Sequence, residues 1–178
     1  KLEEAYEETR RIAERADYRT MPLADLIDHI ISTHHSYLNK ALPGLSDLTT
    51  TILRVHGQNH PDLYRLHKLF HNLKLELEQH LIKEETLLFP MIKDYESAPS
   101  ETLLERTDIV VREIEEEHEG AGNILKELRS ITGDYILPED GCATYGKTLR
   151  ELQELESDLF QHIHLENNIL FVRLGLER

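Results

Sequence analysis

The chain of 178 residues carries 34 Asp and Glu against 20 Lys and Arg, a formal net charge of -14. Such a surface repels nucleic acid and anionic membrane, and a single cysteine excludes an internal disulfide framework or a cysteine-rich metal site. No apolar run approaches the roughly 20 residues of a membrane span, and no signal peptide is visible, so the cytoplasm is the expected location. The length is that of one domain able to bury its core without staples. With Leu and Glu abundant, no Trp, and Gly and Pro lying mostly between periodic segments, the composition is all-α. Eleven histidines are an excess that asks for a reason.

Residues 2–16 read as a short amphipathic helix, with Leu2, Tyr6, Ile12 and Ala13 on one side, packed outside the main body. Residues 1–21 are this helix and its connector, and residues 22–178 the main domain. The first long helix spans about 22–55 and is interrupted or kinked near Pro43-Gly44, where proline removes a donor. After a turn at 57–61, the second spans about 61–95. Ser100 is the expected N-cap of the third, which continues to about 131. A loop with Gly133, Pro138 and Gly141 precedes the fourth, over about 144–174. Four long helices with short joins predict an up-down-up-down four-helix bundle.

Two stretches are nearly the same: Gln79-His80-Leu81-Ile82-Lys83-Glu84 leading to Leu88-Phe89, and Gln161-His162-Ile163-His164-Leu165-Glu166 leading to Leu170-Phe171. In each, His and Glu four residues apart share one helix face. That face is apolar, since stepping by three and four gives Phe70, Leu73, Leu77, His80, Glu84, Leu87, Met91 and, in the second copy, Leu152, Leu155, Leu159, His162, Glu166, Ile169. A carboxylate in a core stripe is costly unless something positive meets it, and a metal ion bound by both residues is the simplest such partner.

The third helix places His118 in a row with Leu104, Val111, Ile114, Ala121, Leu125 and Leu128. On the first, His35 falls in a row with Ile31, Leu38, Leu42 and Leu45, while the adjacent His34 fits Ile27 and Ile30; periodicity does not choose between them. At about 1.5 Å per residue, His35, His80 and His118 come level, and His162 agrees more loosely across the long loop. The same arithmetic puts His56 too far along its helix to reach the centre, and His60, His67 and His71 toward the far end as surface or packing histidines. His29 and His164 lie near the slab but off the best stripe.

Four imidazoles and two carboxylates exceed one tetrahedral zinc and suit two non-haem iron ions, bridged by Glu84 and Glu166 and by an oxo or hydroxo group. Iron is a chemical preference over manganese or zinc. Only Glu115 to His118 fits the Glu-x-x-His pattern of the other bundle di-iron class. Gly120 and Gly122 ask for close packing or leave space for a small ligand; close packing is the expectation. Glu76, Asp158 and Glu117 are placed to orient imidazoles or to act as ordinary solvated acids.

These residues resemble the hemerythrin-like (HHE) superfamily and, within it, the repair-of-iron-centres di-iron proteins. The resemblance is carried by Asp28-His29-Ile30-Ile31 with His35, Arg54-Val55-His56, His80-Leu81-Ile82-Lys83-Glu84-Glu85 with Leu88-Phe89-Pro90-Met91, Glu117-His118-Glu119, and His162-Ile163-His164-Leu165-Glu166-Asn167-Asn168 with Leu170-Phe171, over roughly residues 22–172. It selects His35 over His34 and implies a di-iron centre held by His35, His80, His118 and His162 with Glu84 and Glu166 bridging. Similar proteins usually open with a small domain bearing a cysteine pair, which is absent from this sequence, so a function needing those thiols does not carry over from the resemblance; the sequence begins at Lys1 and not at Met, which leaves room for a preceding part. Val172 stands where the family commonly has Pro.

The resemblance implies a stress-response protein that restores iron-sulfur clusters damaged by nitric oxide or oxidants, by iron donation, by NO reduction at the di-iron site, or both. A four-histidine site leaves both irons unsaturated, which suits either chemistry. The implied partners are NO and O2, damaged iron-sulfur proteins and an electron donor, with a homodimer allowed. The alternative is a module that binds or senses oxygen or NO without catalysis.

Overall fold

A computed structural model describes residues 18–176, so the amphipathic helix expected over 2–16 lies outside the described residues. Those described form four helical rods without a strand. The first rod is α1 (Leu23–Ile30), one π-helical turn (Ile31–His35) and α2 (Ser36–His56). The second is α3 (Asp62–Lys83), a π turn (Glu84–Leu88) and α4 (Phe89–Ser97). The third is α5 (Glu101–Ile131), and the fourth is α6 (Ala143–Leu165), a π turn (Glu166–Leu170) and a 3-10 turn (Val172–Leu174) closed by Gly175 at a φ of 74°.

The rod ends show why these segments start where they do. Ser100 caps α5 as expected, its hydroxyl accepting from the Leu103 amide at 3.3 Å. At the start of α1 no local side chain caps the helix; the Leu23 and Ala24 amides donate to Glu96 at 2.6 and 2.9 Å, so a carboxylate from the second rod meets the positive helix end. Helix α2 runs unbroken through Pro43, so of the expected interruption or kink the interruption does not occur. Pro43 is exposed, so the carbonyl freed by its missing N–H lies on the solvent side. The irregularity of the first rod falls instead at Ile31–His35.

Helix α2 packs closely against α3 and α6, and α3 against α5. The core has two parts. One half contains Leu42, Phe70, Leu73, Leu125 and Leu155; the other contains Ile27, Leu88, Phe89, Ile114, Leu170 and Phe171. His35, His80, Glu84, His118, His162 and Glu166, all buried, lie where each rod passes from one half to the other, which forms a polar layer clamped by two apolar ones. No helix among the described residues is long and apolar enough to cross a membrane.

The π turns correct one expectation. A regular 3.6-residue stripe carries Leu87 into the core, but Leu87 is 43 % exposed and Leu88 is fully buried. The extra residue accommodated by the turn at Glu84–Leu88 moves the inward face by one position.

Away from the layer, Glu156 is 2 % exposed and accepts from both Nε and an Nη of Arg129. Replacing Arg129 with Met strands that carboxylate and costs about 3 kcal/mol, the lower end of the buried-pair range, because Arg129 is itself 24 % exposed. The Arg129→Met, Glu156→Leu double variant recovers most of the loss. Urea-unfolding midpoints of the two variants check both statements.

Candidate metal centre

Three rods bring their ligand-type residues to a π turn, and the fourth does so from mid-helix. His35 ends the first π turn, Glu84 and Glu166 open the other two, His80 and His162 lie in the last turns of α3 and α6, and His118 sits inside α5. Glu84 and Glu166 have no exposed surface. All four imidazoles aim Nε2 inward. Glu84 Oε2 is 3.3 Å from His35 Nε2 and 3.9 Å from His162 Nε2, while its Oε1 is 3.3 Å from His80 Nε2. Glu166 mirrors this, with Oε1 3.2 Å from His162 Nε2 and Oε2 3.1 Å from His118 Nε2. The result is two four-residue sets able to hold a metal ion, His35-Glu84-His162-Glu166 and His80-Glu84-His118-Glu166, which share both carboxylates.

The protein groups alone do not satisfy this layer. Both oxygens of Glu84 and of Glu166, and the Nε2 atoms of His35 and His162, are buried without a hydrogen-bond partner. His80 and His118 face each other Nε2 to Nε2 at 3.3 Å. Unpartnered buried carboxylate oxygens are costly, and two cations, each with two nitrogens and one oxygen from each carboxylate, meet all of them. The donors therefore fit a pair of first-row transition ions. The electrostatics agree. Burial opposes charge on His80, yet Glu84, Glu117 and Glu166 outweigh it and push its pKa up to about 10. Burial likewise opposes charge on Glu166, but His162 and His118 hold it well below the usual carboxylate range.

The outward side of each ring is also specified. His35 Nδ1 donates to Glu85 at 2.8 Å, His80 Nδ1 to Glu117 at 2.8 Å and His118 Nδ1 to Asn167 at 2.9 Å, which fixes the tautomer that leaves Nε2 free. Phe89 lies over the His35 ring and Phe171 over the His118 ring. Of the three acids expected to orient imidazoles, Glu117 does so, but for His80 across the helix interface. Asp158 binds His34 at 2.9 Å, and Glu76 lines a cavity. Sequence reasoning missed Glu85 and Asn167, although each directly follows its motif glutamate. It also left His34 against His35; His35 reaches the centre, and His34 is buried beside it against His162.

A cavity of about 500 Å³ opens beside His80, His118 and His162, lined also by Glu76, Glu113 and Gly120. A Cβ built at Gly120 or Gly122 meets nothing within 4 Å, so these glycines keep space open and do not serve the close packing expected. The far-end histidines stay away from the centre. His67 lies against His71, His60 bonds Asp140 at 2.9 Å, and His56 Nε2 is 3.1 Å from Sγ of Cys142, the N-cap of α6.

Two measurements test these environments. Metal raises the urea midpoint of the wild-type chain, and with Glu84 and Glu166 both changed to Met it no longer does. Contact with His56, followed by the Tyr145 amide, pushes the Cys142 thiol down to about 7. Its iodoacetamide alkylation rate rises through a midpoint near that pH, and His56→Ala moves the midpoint up toward the ordinary thiol range.

The family described as the hemerythrin HHE cation binding domain matches residues 26–174. An "Iron-sulfur cluster repair protein YtfE" from Citrobacter koseri is 36 % identical over 157 residues, covering 88 % of this chain and 68 % of that protein. Proteins of the same name from Salmonella paratyphi B and Salmonella newport are each 35 % identical over 158 residues, again covering 88 % and 68 %. The layer of inward imidazoles and shared carboxylates thus sits inside a segment recognised throughout its length, and the chain belongs to the hemerythrin HHE cation binding domain family.

Proposed function

We propose that this protein holds two non-haem iron ions and repairs iron-sulfur clusters damaged by nitric oxide or oxidants. The observation that carries the reading is the sharing of Glu84 and Glu166 between two ligand sets while their four oxygens lack any other partner. His35 and His162 would hold one iron and His80 and His118 the other, with one oxygen of each glutamate on each. When bound, the pair supplies redox-active cations with positions open to a small molecule. The name carried by the relatives, iron-sulfur cluster repair protein, supports the assignment of role.

The chain's own residues fit iron donation and chemistry on a small gas. The cavity beside His80 and His118 admits a diatomic molecule, and Gly120 keeps it open. Its rim carries Glu76, Glu113, Glu116 and Glu117 with Lys83, which is paired to Glu117, so the net field at the mouth favours a cation. Glu85, Glu117 and Asn167 hold three ring tautomers. Expected partners are NO and O2, damaged iron-sulfur proteins and an electron donor.

Metal analysis of the purified chain is expected to give about two iron atoms per chain, which this reading requires; one zinc per chain overturns it. Anaerobic mixing of the ferrous protein with NO then separates the roles. Conversion to nitrous oxide supports reduction, and recovery of NO unchanged supports a binding or sensing module. Reactivation of an apo-cluster enzyme by the iron-loaded chain, absent for Glu84→Ala, supports iron donation.

A further inference from the structure

The centre has an approximate twofold pattern that extends beyond its six inner residues. His35 corresponds to His118, His80 to His162 and Glu84 to Glu166. In each half the residue after the glutamate accepts the Nδ1–H of a histidine on another rod, Glu85 for His35 and Asn167 for His118. In each half a phenylalanine five residues after the glutamate stacks on that same ring, with centroids 5.6 Å apart for Phe89 and 6.5 Å for Phe171.

One pair breaks the pattern. Glu117, the residue before His118, accepts from His80 Nδ1 at 2.8 Å. Its counterpart, the residue before His35, is His34, whose ring lies parallel to that of His162 at 5.5 Å with 1° between planes. A ring stacked in this way offers no acceptor in the plane of its neighbour. His162 Nδ1 is buried without a hydrogen-bond partner, alone among the four imidazoles of the centre. A second orphan is one turn away on the same face of α6. Asp158 precedes His162 by four residues, its Oδ1 accepts from His34 Nδ1 at 2.9 Å, and its Oδ2 is buried without a partner. The counterpart of Asp158 is Glu76, which lines the cavity, since His80 already has Glu117.

We propose that Asp158 is a positioning residue of the metal centre: one oxygen holds His34 flat against His162, and the other accepts the His162 Nδ1–H once Nε2 of that ring engages a metal. This rests on the two-metal reading above. Asp158 then does for His162 what Glu117 does for His80, with His34 as a spacer where the other half has a carboxylate. Because His162 belongs to the set with His35, the effect of Asp158 falls on one of the two cation positions.

The test compares the wild-type chain, Asp158→Ala, Asp158→Asn and His34→Phe, each loaded with two ferrous ions and challenged with a chelator. Asp158→Ala is expected to bind one of its two irons about 10–100-fold more weakly and the other as wild type does. Asp158→Asn, which keeps an acceptor oxygen, is expected to recover part of the loss. In the zinc-loaded proteins, histidine-selective 15N–1H spectra show slowly exchanging ring N–H signals. His34→Phe is expected to lose the His34 signal alone, and Asp158→Ala both that and the His162 signal. Equal weakening of both irons in Asp158→Ala, unchanged binding of both, or a wild-type His162 ring without a protected N–H overturns the assignment. A wild type that never takes up two metals refutes the underlying reading itself.

Discussion

Two carboxylates with no exposed surface, set at mid-height in a bundle of apolar helices, are the constraint from which the rest of this structure follows. Taking such groups out of water is among the costliest steps a fold can take, and it is tolerated only where opposite charge is fixed close by. Four imidazoles surround Glu84 and Glu166 within 3.1–3.9 Å, yet their geometry leaves the carboxylate oxygens without hydrogen bonds. The layer is thus arranged for cations more than for itself: its carboxylates push the His80 pKa up, and its imidazoles hold the Glu166 carboxyl below the usual range, as opposite charges brought together must.

The fold meets this constraint by holding the layer between two separate apolar clusters and by reshaping helices where the ligand-type residues lie. Three rods each give up regular hydrogen bonding for one π turn at the layer. The third stays regular and thins itself with Gly120 and Gly122. The consequence is a centre that adjoins a cavity on one side, at His80, His118 and His162. The cavity is lined by α3, α5 and α6, with Glu76 and His80 from the first, Glu113 and Gly120 from the second and His162 from the third. Outside the layer, Glu85, Glu117 and Asn167 lock three rings, so the arrangement owes its accuracy to helices and not to loops.

Much of this was legible in the linear order of residues. The repeated His-x-x-x-Glu placed His80, Glu84, His162 and Glu166 on core faces, because a carboxylate in an apolar stripe needs a partner whatever the tertiary detail. His118 followed from the same periodicity. Helix lengths put them level, since rise per residue is nearly constant. The choice between His34 and His35 was not available from spacing, because the π turn at Ile31–His35 lets two adjacent side chains both face inward. Leu87 and Leu88 exchanged places for the same reason.

What the sequence by itself determined was therefore the type of fold, the inner donors other than His35 and the need for positive charge among them, all consequences of local periodicity and burial cost. Only the tertiary structure decided which outer group serves which ring, since Glu85, Glu117 and Asn167 each act on a histidine from a different rod. It alone decided that the two glycines open a space, and that each glutamate divides its oxygens between two sets. Those outcomes depend on the rotation and register of one helix against another, and no distance along a single chain segment encodes them.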